Sequence, residues 1–291
     1  MKKPIIRKTL YVLLLCSLLI GCGDSDTIIQ SLMDISGAPL EYDDSKATKH
    51  LTMASVCLQC SKEKQENIVK MKQIIHKIMN EKPETELIVF GETILGWYYN
   101  PDDLENYQRS LAETIPGPVT DSIRVLADDY DIYIVFGLGE LNGDKLYNSQ
   151  ILISPDGEIE AIHRKFHLID EDEKSGFDPY PKTTTNVTIV EINGIKTGMI
   201  ICADVSSYWL TEQLVNQKVE LVIHSLASFE TEFKIDAVAR QFNAWVVFAN
   251  RYGQEKDTFY EGNCYISDPA GTIRVGGNGK ERYEFYRIGV Y

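Results

Sequence analysis

Beyond its first twenty residues the 291-residue chain has no apolar run long enough to cross a membrane as a helix, which takes about 20 consecutive apolar residues. It also lacks positive charge. Twenty-nine lysines and arginines stand against 43 aspartates and glutamates, a formal net charge of −14. An acidic surface of that size repels phosphate backbones and anionic lipid headgroups, so no nucleic-acid partner is expected. Cysteine is scarce as well: Cys16, Cys22, Cys57, Cys60, Cys202 and Cys264. The "CLQC" pair, Cys57 and Cys60, has the spacing of half a zinc site or of a redox pair. No second C-x-x-C and no histidine pair lies near it in the sequence, so no metal is expected. Because the pair ends the alternating run "HLTMASVCLQC", both residues read as core or strand-end thiols, with a disulfide between them left open. What remains, 44% hydrophobic and 25% charged residues, suits a globular protein with a substantial core.

The first residues stand apart. Lys2, Lys3, Arg7 and Lys8 precede "TLYVLLLCSLLI", the anatomy of a signal peptide rather than of a spanning helix. The segment ends Leu19-Ile20-Gly21-Cys22, which resembles the lipobox of bacterial lipoproteins. That resemblance implies cleavage before Cys22, lipidation of its thiol and new amino group, and a place in the bacterial cell envelope facing the periplasm or exterior. An ordinary secreted protein is the alternative. Several acyl chains make a stable anchor, since each buried methylene contributes about 0.8 kcal/mol. Loss of the four leader cations would take the net charge from −14 to −18, so membrane attachment would rest on lipid alone. Residues 1–21 therefore read as leader, 22–48 as a lipidated tether without sustained period, and 49–291 as the folded domain.

Within that domain the periodicity alternates. An alternating strand at 50–58 precedes a helix near 62–79, where Ile68, Met71, Ile74, Ile75, Ile78 and Met79 share one face. "ELIVFGE" is a buried strand, "PGPVTDSIRVLADDYD" a helix with Pro118 at its start, and "IYIVFGLGE", "LYNSQILISP" and "EIEAIHRKFHL" three more strands. The second half repeats this grammar, with strands at 187–192 and 195–202, helices near 206–217 and 231–244, and the strands "VELVIHS", "WVVFANRYG", "GNCYISDP" and "GTIRVGG". Two βα halves of this kind predict an α/β fold, a four-layer α-β-β-α sandwich.

Three polar residues of different chemistry end buried-looking strands: Glu92, Lys165 and Cys202. A charged group beside an apolar run stands at a site or a surface edge, because burial without a partner is costly. A thiol at a strand-to-helix turn faces the positive end of the helix dipole, which favours thiolate. Beside it, a lysine can hold an oxyanion and a glutamate can move protons. His163, His167 and His224 have no metal spacing and read as packing or hydrogen-bonding residues. Trp97, Tyr98 and Tyr99 follow Glu92 in a loop and are candidates to line a pocket.

"ELIVFGE", "HRKFHL", "GMIICAD", "FANRYG" and "GNCYISDPAG", in this order, resemble the motifs of the nitrilase superfamily of carbon-nitrogen hydrolases from about residue 50 to about 285. The resemblance implies the α-β-β-α sandwich and a catalytic set of Glu92 as base and acid, Lys165 as cation and Cys202 as nucleophile. It implies the Ala203 amide as an oxyanion donor, and a carboxylate orienting the lysine, for which Glu173 is the first choice and Glu171 the second. No cofactor is implied. The expected substrate is a small non-peptide amide, or a nitrile or carbamoyl compound, cleaved through a thioester. Apolipoprotein N-acyltransferase-like transfer and a silent binding lipoprotein of the same fold are the rivals. Homodimerisation is possible within the family. The chain departs from the family at Gly91, where proline is usual and where a looser backbone is expected, and after Cys202, where "ADVSSYW" replaces an aromatic residue and a later Phe-Pro-Glu.

Overall fold

The computed structural model describes residues 37–99, 102–228 and 235–291. The leader, Cys22 and the first part of the tether lie outside the described residues. Two sheets face each other. The first runs β5 (Ile159–Arg164), β4 (Lys145–Ile153), β3 (Tyr133–Asn142), β2 (Leu87–Val89), β1 (Lys49–Gln59) and β12 (Arg282–Val290). The second runs β6 (Ile189–Ile192), β7 (Ile195–Ile201), β8 (Leu221–Ser225), β9 (Trp245–Glu255), β10 (Thr258–Ser267) and β11 (Ile273–Asn278). They join where β1 leaves β12 and its residues Cys57, Leu58 and Gln59 pair in parallel with Asn250, Arg251 and Tyr252 of β9.

Three separate cores define four layers. Alternate residues of β1 point to opposite faces. Ala54, Val56 and Leu58 meet the helices α1 (Lys64–Glu81) and α3 (Pro118–Tyr130), while Leu51 and Met53 meet the other sheet. The inter-sheet core adds Val89, Val135 and Leu152 from one side and Met199, Ile223, Trp245 and Val247 from the other. On the far face, Val222, Val246 and Phe248 pack under α5 (Tyr208–Asn216) and α6 (Ile235–Phe242) through Leu210, Leu214, Val238 and Phe242. The α-β-β-α order anticipated from the sequence is the order observed.

Several boundaries differ. The first helix starts and ends two residues later than its periodicity suggests, and α5 begins at Tyr208 because Cys202–Ser206 forms a 3-10 turn. The helix α2 (Leu104–Leu111) and the strand β12 went unread. In β12 the alternation is masked by Arg282, Glu284 and Arg287, although Tyr283 and Phe285 reach the helix-side core and Tyr286, Ile288 and Val290 the inter-sheet core. Part of the presumed tether is bound to the domain. Tyr42 lies edge-on to Trp245 at 5.4 Å, stacks on Tyr291 at 4.9 Å, and donates to the Gly289 carbonyl at 2.8 Å. Burying an aromatic ring with its hydroxyl satisfied outweighs the freedom of so short a segment.

Candidate active site

The strands β2, β5 and β7 deliver the three polar ends noted in the sequence. Glu92 follows β2 and is 1% exposed. Its amide donates to the Leu226 carbonyl at 3.0 Å, and the Gly91 carbonyl accepts from Gly137 at 3.0 Å. The backbone at Gly91 is therefore clamped, not loose as expected. A Cβ there would stand 2.9 Å from the Leu226 carbonyl oxygen and 3.0 Å from Asn250 backbone carbon. Glycine is what lets these two chains close on the glutamate.

Lys165, which follows β5, is 1% exposed. Its Nζ donates to Glu92 Oε1 at 2.7 Å and to Asp172 Oδ2 at 2.6 Å. A buried ammonium is tolerated only when paired and hydrogen-bonded, and here two carboxylates share it. The expectation that Glu173 or Glu171 would orient the lysine is corrected: the carboxylate is Asp172. These residues lie on the short helix α4 (Asp170–Lys174), where neighbours diverge by about 100°. Asp172 points inward and is fully buried, and its Oδ2 also accepts from the Ile169 amide at 3.0 Å. Glu173 is exposed, and Glu171 pairs with Lys174 at 3.8 Å.

Two further side chains, Asn148 and Tyr98, join this network. Asn148 on β4 donates through Nδ2 to Glu92 Oε1 at 2.7 Å and to Asp172 Oδ1 at 3.1 Å, and its backbone carbonyl accepts from the Lys165 amide at 2.9 Å. Tyr98, named earlier as a pocket candidate, is buried and donates to Asp172 Oδ1 at 2.8 Å. Asn148 had a readable signal, an amide in the middle of the strand run "LYNSQILI" on the face that Leu152 turns to the inter-sheet core. Asp172 had none, because "DEDEK" offers acid at four successive positions.

Cys202 follows β7 with φ +42°, a left-handed conformation that costs a non-glycine residue about 1–3 kcal/mol and recurs at functional turns. Its carbonyl is held by His224 Nε2 at 3.0 Å, and Ala203, the next residue, is buried in the same turn. Asp204 fixes the turn to the end of β5. Its carboxylate accepts from the amides of Phe166 at 2.9 Å, His167 at 2.8 Å and Ile201 at 3.0 Å, and meets His163 Nε2 at 2.8 Å. One carboxylate thus ties the cysteine turn to the lysine segment. Burial opposes the charge of Asp204, but the His163 contact and these amides hold its carboxyl below the usual range.

Charge in the site is set by burial against pairing. Burial pushes the Glu92 carboxyl upward, with Lys165 opposing and Asp172 reinforcing. For Lys165 burial disfavours the ammonium, yet Glu92 and Asp172 outweigh it and hold the proton on. Burial, then Glu92, pushes the Cys202 thiol up, while Lys165 pulls the other way. Burial thus works against the thiolate that the turn alone favours. Burial lowers His224 to about 4, which keeps that imidazole neutral.

The remaining features frame this centre. Arg251, fully buried, bonds the carbonyls of Thr93 at 3.0 Å and Gly96 at 2.9 Å and pairs with Glu255 at 3.0 Å; Glu255 accepts from the Tyr98 amide at 2.8 Å. The guanidinium also reaches Cys60 Sγ at 3.4 Å. Cys57 and Cys60 are free and buried. Tyr99 borders a cavity of about 300 Å³ together with Leu104, Glu171 and Glu255. Among the described residues no group of three or more His, Cys, Asp or Glu could hold a metal ion.

A two-sheet sandwich flanked by helices, with a carboxylate, an ammonium and a thiol at converging strand ends, defines a protein of the nitrilase type. Residues 52–283 match the carbon-nitrogen hydrolase family. The chain belongs to that family. It is 27% identical over 217 residues to a probable nitrilase of Schizosaccharomyces pombe, covering 71% of this chain and 76% of the relative. To an (R)-stereoselective amidase of a Pseudomonas species it is 28% identical over 196 residues, covering 65% and 68%. The crystal structure of Saccharomyces cerevisiae Nit3, a member of branch 10 of the nitrilase superfamily, superposes with a TM-score of 0.73 at 21% identity over 84% of this chain and 91% of that one.

Proposed function

We propose that this carbon-nitrogen hydrolase cleaves a small non-peptide amide through a thioester on Cys202, and that it does so as a lipoprotein anchored through Cys22. The observation that carries the reaction is the buried Glu92–Lys165–Asp172 network set against a thiol on a strained turn. Glu92 takes the thiol proton as sulfur attacks the carbonyl carbon. Lys165 and the Ala203 amide stabilise the oxyanion. When the C–N bond breaks, Glu92 returns its proton to nitrogen, releasing ammonia or an amine. Water then gives a proton to Glu92 and attacks the thioester, yielding the acid and restoring the thiol.

A screen of small amides and nitriles for ammonia release tests this reading. The expected result is release from at least one amide, with an acyl mass on the Cys202 peptide after acid quench. Release without any acyl–Cys202 species under single turnover would defeat the thioester route. The pH profile is a second check. Glu92 must be ionised to act as base, and burial raises its pKa above the ordinary 4.5, so kcat/KM should fall as pH drops, with a midpoint above that value. A midpoint at or below it would mean that another group is titrating.

The anchor is supported by the basic leader, the short apolar run and Leu19-Ile20-Gly21-Cys22. Expressed in bacteria, the chain should incorporate labelled palmitate and enter the detergent phase of a Triton X-114 separation. Cys22→Ser should incorporate none; equal incorporation by the two would exclude the anchor.

A further inference from the structure

We propose that Tyr98 and Glu255 are positioning residues for Lys165: Glu255 anchors the loop that follows Glu92, and the Tyr98 hydroxyl at the end of that loop holds Asp172, the carboxylate on the lysine. The inference rests on the hydrolase reading above and adds to it a hold that reaches the site from β9.

The loop from Thr93 to Tyr98 is tied down along its length. Arg251, on β9, donates to the carbonyls of Thr93 at 3.0 Å and Gly96 at 2.9 Å, so the chain is gripped one residue after the glutamate. Gln108, on α2, donates to the carbonyls of Trp97 at 2.9 Å and Tyr98 at 3.2 Å, and the Tyr107 hydroxyl accepts from the Trp97 amide at 2.9 Å. Glu255 closes the far end. It accepts from the Tyr98 amide at 2.8 Å while pairing with Arg251 at 3.0 Å. One ion pair thus holds both ends of the loop, and its two members and Tyr98 are all buried. A buried ion pair seldom stabilises a fold more than apolar residues of the same volume would; here it fixes a backbone.

Tyr98 passes this hold to Asp172. Its hydroxyl donates to Asp172 Oδ1 at 2.8 Å, beside Asn148 Nδ2 at 3.1 Å, while Oδ2 accepts from Lys165 Nζ at 2.6 Å and from the Ile169 amide at 3.0 Å. Four donors, two to each oxygen, fill what a carboxylate accepts. Glu92 differs, since its Oε2 has no hydrogen-bond partner among the described residues. Of the two carboxylates on Lys165, Asp172 is therefore the fixed one and Glu92 the one free to exchange a proton. Burial, then Glu92, keeps the Tyr98 phenol well above its usual range, so it remains a donor. Tyr98→Phe removes one of the two bonds on Oδ1 and lets Asp172 turn, with Lys165 following it.

The test uses the full chain in detergent with iodoacetamide as probe, and alkylation is read by mass on the Cys202 peptide. Lys165 favours the thiolate of Cys202, so the alkylation rate reports where the ammonium stands, whether or not an amide is turned over. Tyr98→Phe should lower the limiting rate by about 10- to 10²-fold and leave the half-saturating concentration within about two-fold of the parent. A merely structural loss would weaken probe binding as well. Added to Asp172→Asn, the same substitution should cost less than about two-fold more, because the hydroxyl acts through that carboxylate. Glu255→Leu should be as slow as Tyr98→Phe. Glu255→Gln, which keeps an acceptor for the Tyr98 amide, should return to within about three-fold of the parent. If Glu255→Leu does not fold, Tyr98→Phe and the double variant decide. An unchanged limiting rate in Tyr98→Phe, a fully additive loss in the double variant, or Glu255→Gln as slow as Glu255→Leu would overturn the inference. Slow alkylation of Tyr98→Phe, in a protein whose parent releases ammonia from no amide, would leave the positioning standing and defeat the hydrolase reading instead.

Discussion

Cys202→Ala is expected to lower kcat/KM for any amide substrate by about 10⁴ or more, since loss of a nucleophile removes the covalent route as a whole. Stability should change little. The substitution deletes one sulfur from a residue 7% exposed, a loss of about 1 kcal/mol, and alanine at φ +42° keeps the strain that the turn already bears. The bonds made by the Cys202 carbonyl and by Asp204, which tie the turn down, are left in place. The variant should therefore melt within a few degrees of the parent while losing turnover. Retention of more than about 1% of activity would remove the thiol from the reaction.

Lys165→Met should be damaging in both respects. Methionine fills similar space but leaves Glu92 and Asp172 facing each other without the ammonium that bonds both. Removing one partner of a buried pair costs about 3–5 kcal/mol, and removal of an oxyanion cation costs about 10²–10³ in kcat. The stability deficit has a sign in pH. Burial already holds the Glu92 carboxyl above its ordinary value, with Lys165 opposing; without the ammonium it rises further. A carboxyl whose folded pKa exceeds its unfolded one favours the folded state at low pH and loses that advantage as pH rises. The deficit should consequently be smaller near pH 4.5 than near pH 8, as read by denaturant unfolding. Adding Asp172→Asn to Lys165→Met should recover part of the stability and none of the activity. A variant as stable as the parent at pH 8 would mean that the two carboxylates are not held by this lysine.

The legible part of the site was its chemistry at strand ends. A thiol, an ammonium and a carboxylate closing separate apolar runs are visible because burial makes each of them expensive, and the order of the motifs made the family visible. Glu92 and Lys165 are brought together by β2 and β5, which lie on opposite sides of the β3–β4 pair. The repeated βα grammar of the two halves predicted the sandwich, and β1 bears it out by sending alternate residues into the helix-side and inter-sheet cores.

The sequence by itself determined most of the strands and helices, the family and the candidate nucleophile, because hydrophobic period and residue type are local properties written along the chain. Only the tertiary structure decided that Asp172 and not Glu173 meets Lys165, that Asn148 bridges two carboxylates, that Gly91 is clamped, and that burial pushes the Cys202 thiol up. Each of these depends on which way a side chain points once remote segments have closed around it, and on how much water that closure removes. Neither quantity exists until the chain is folded.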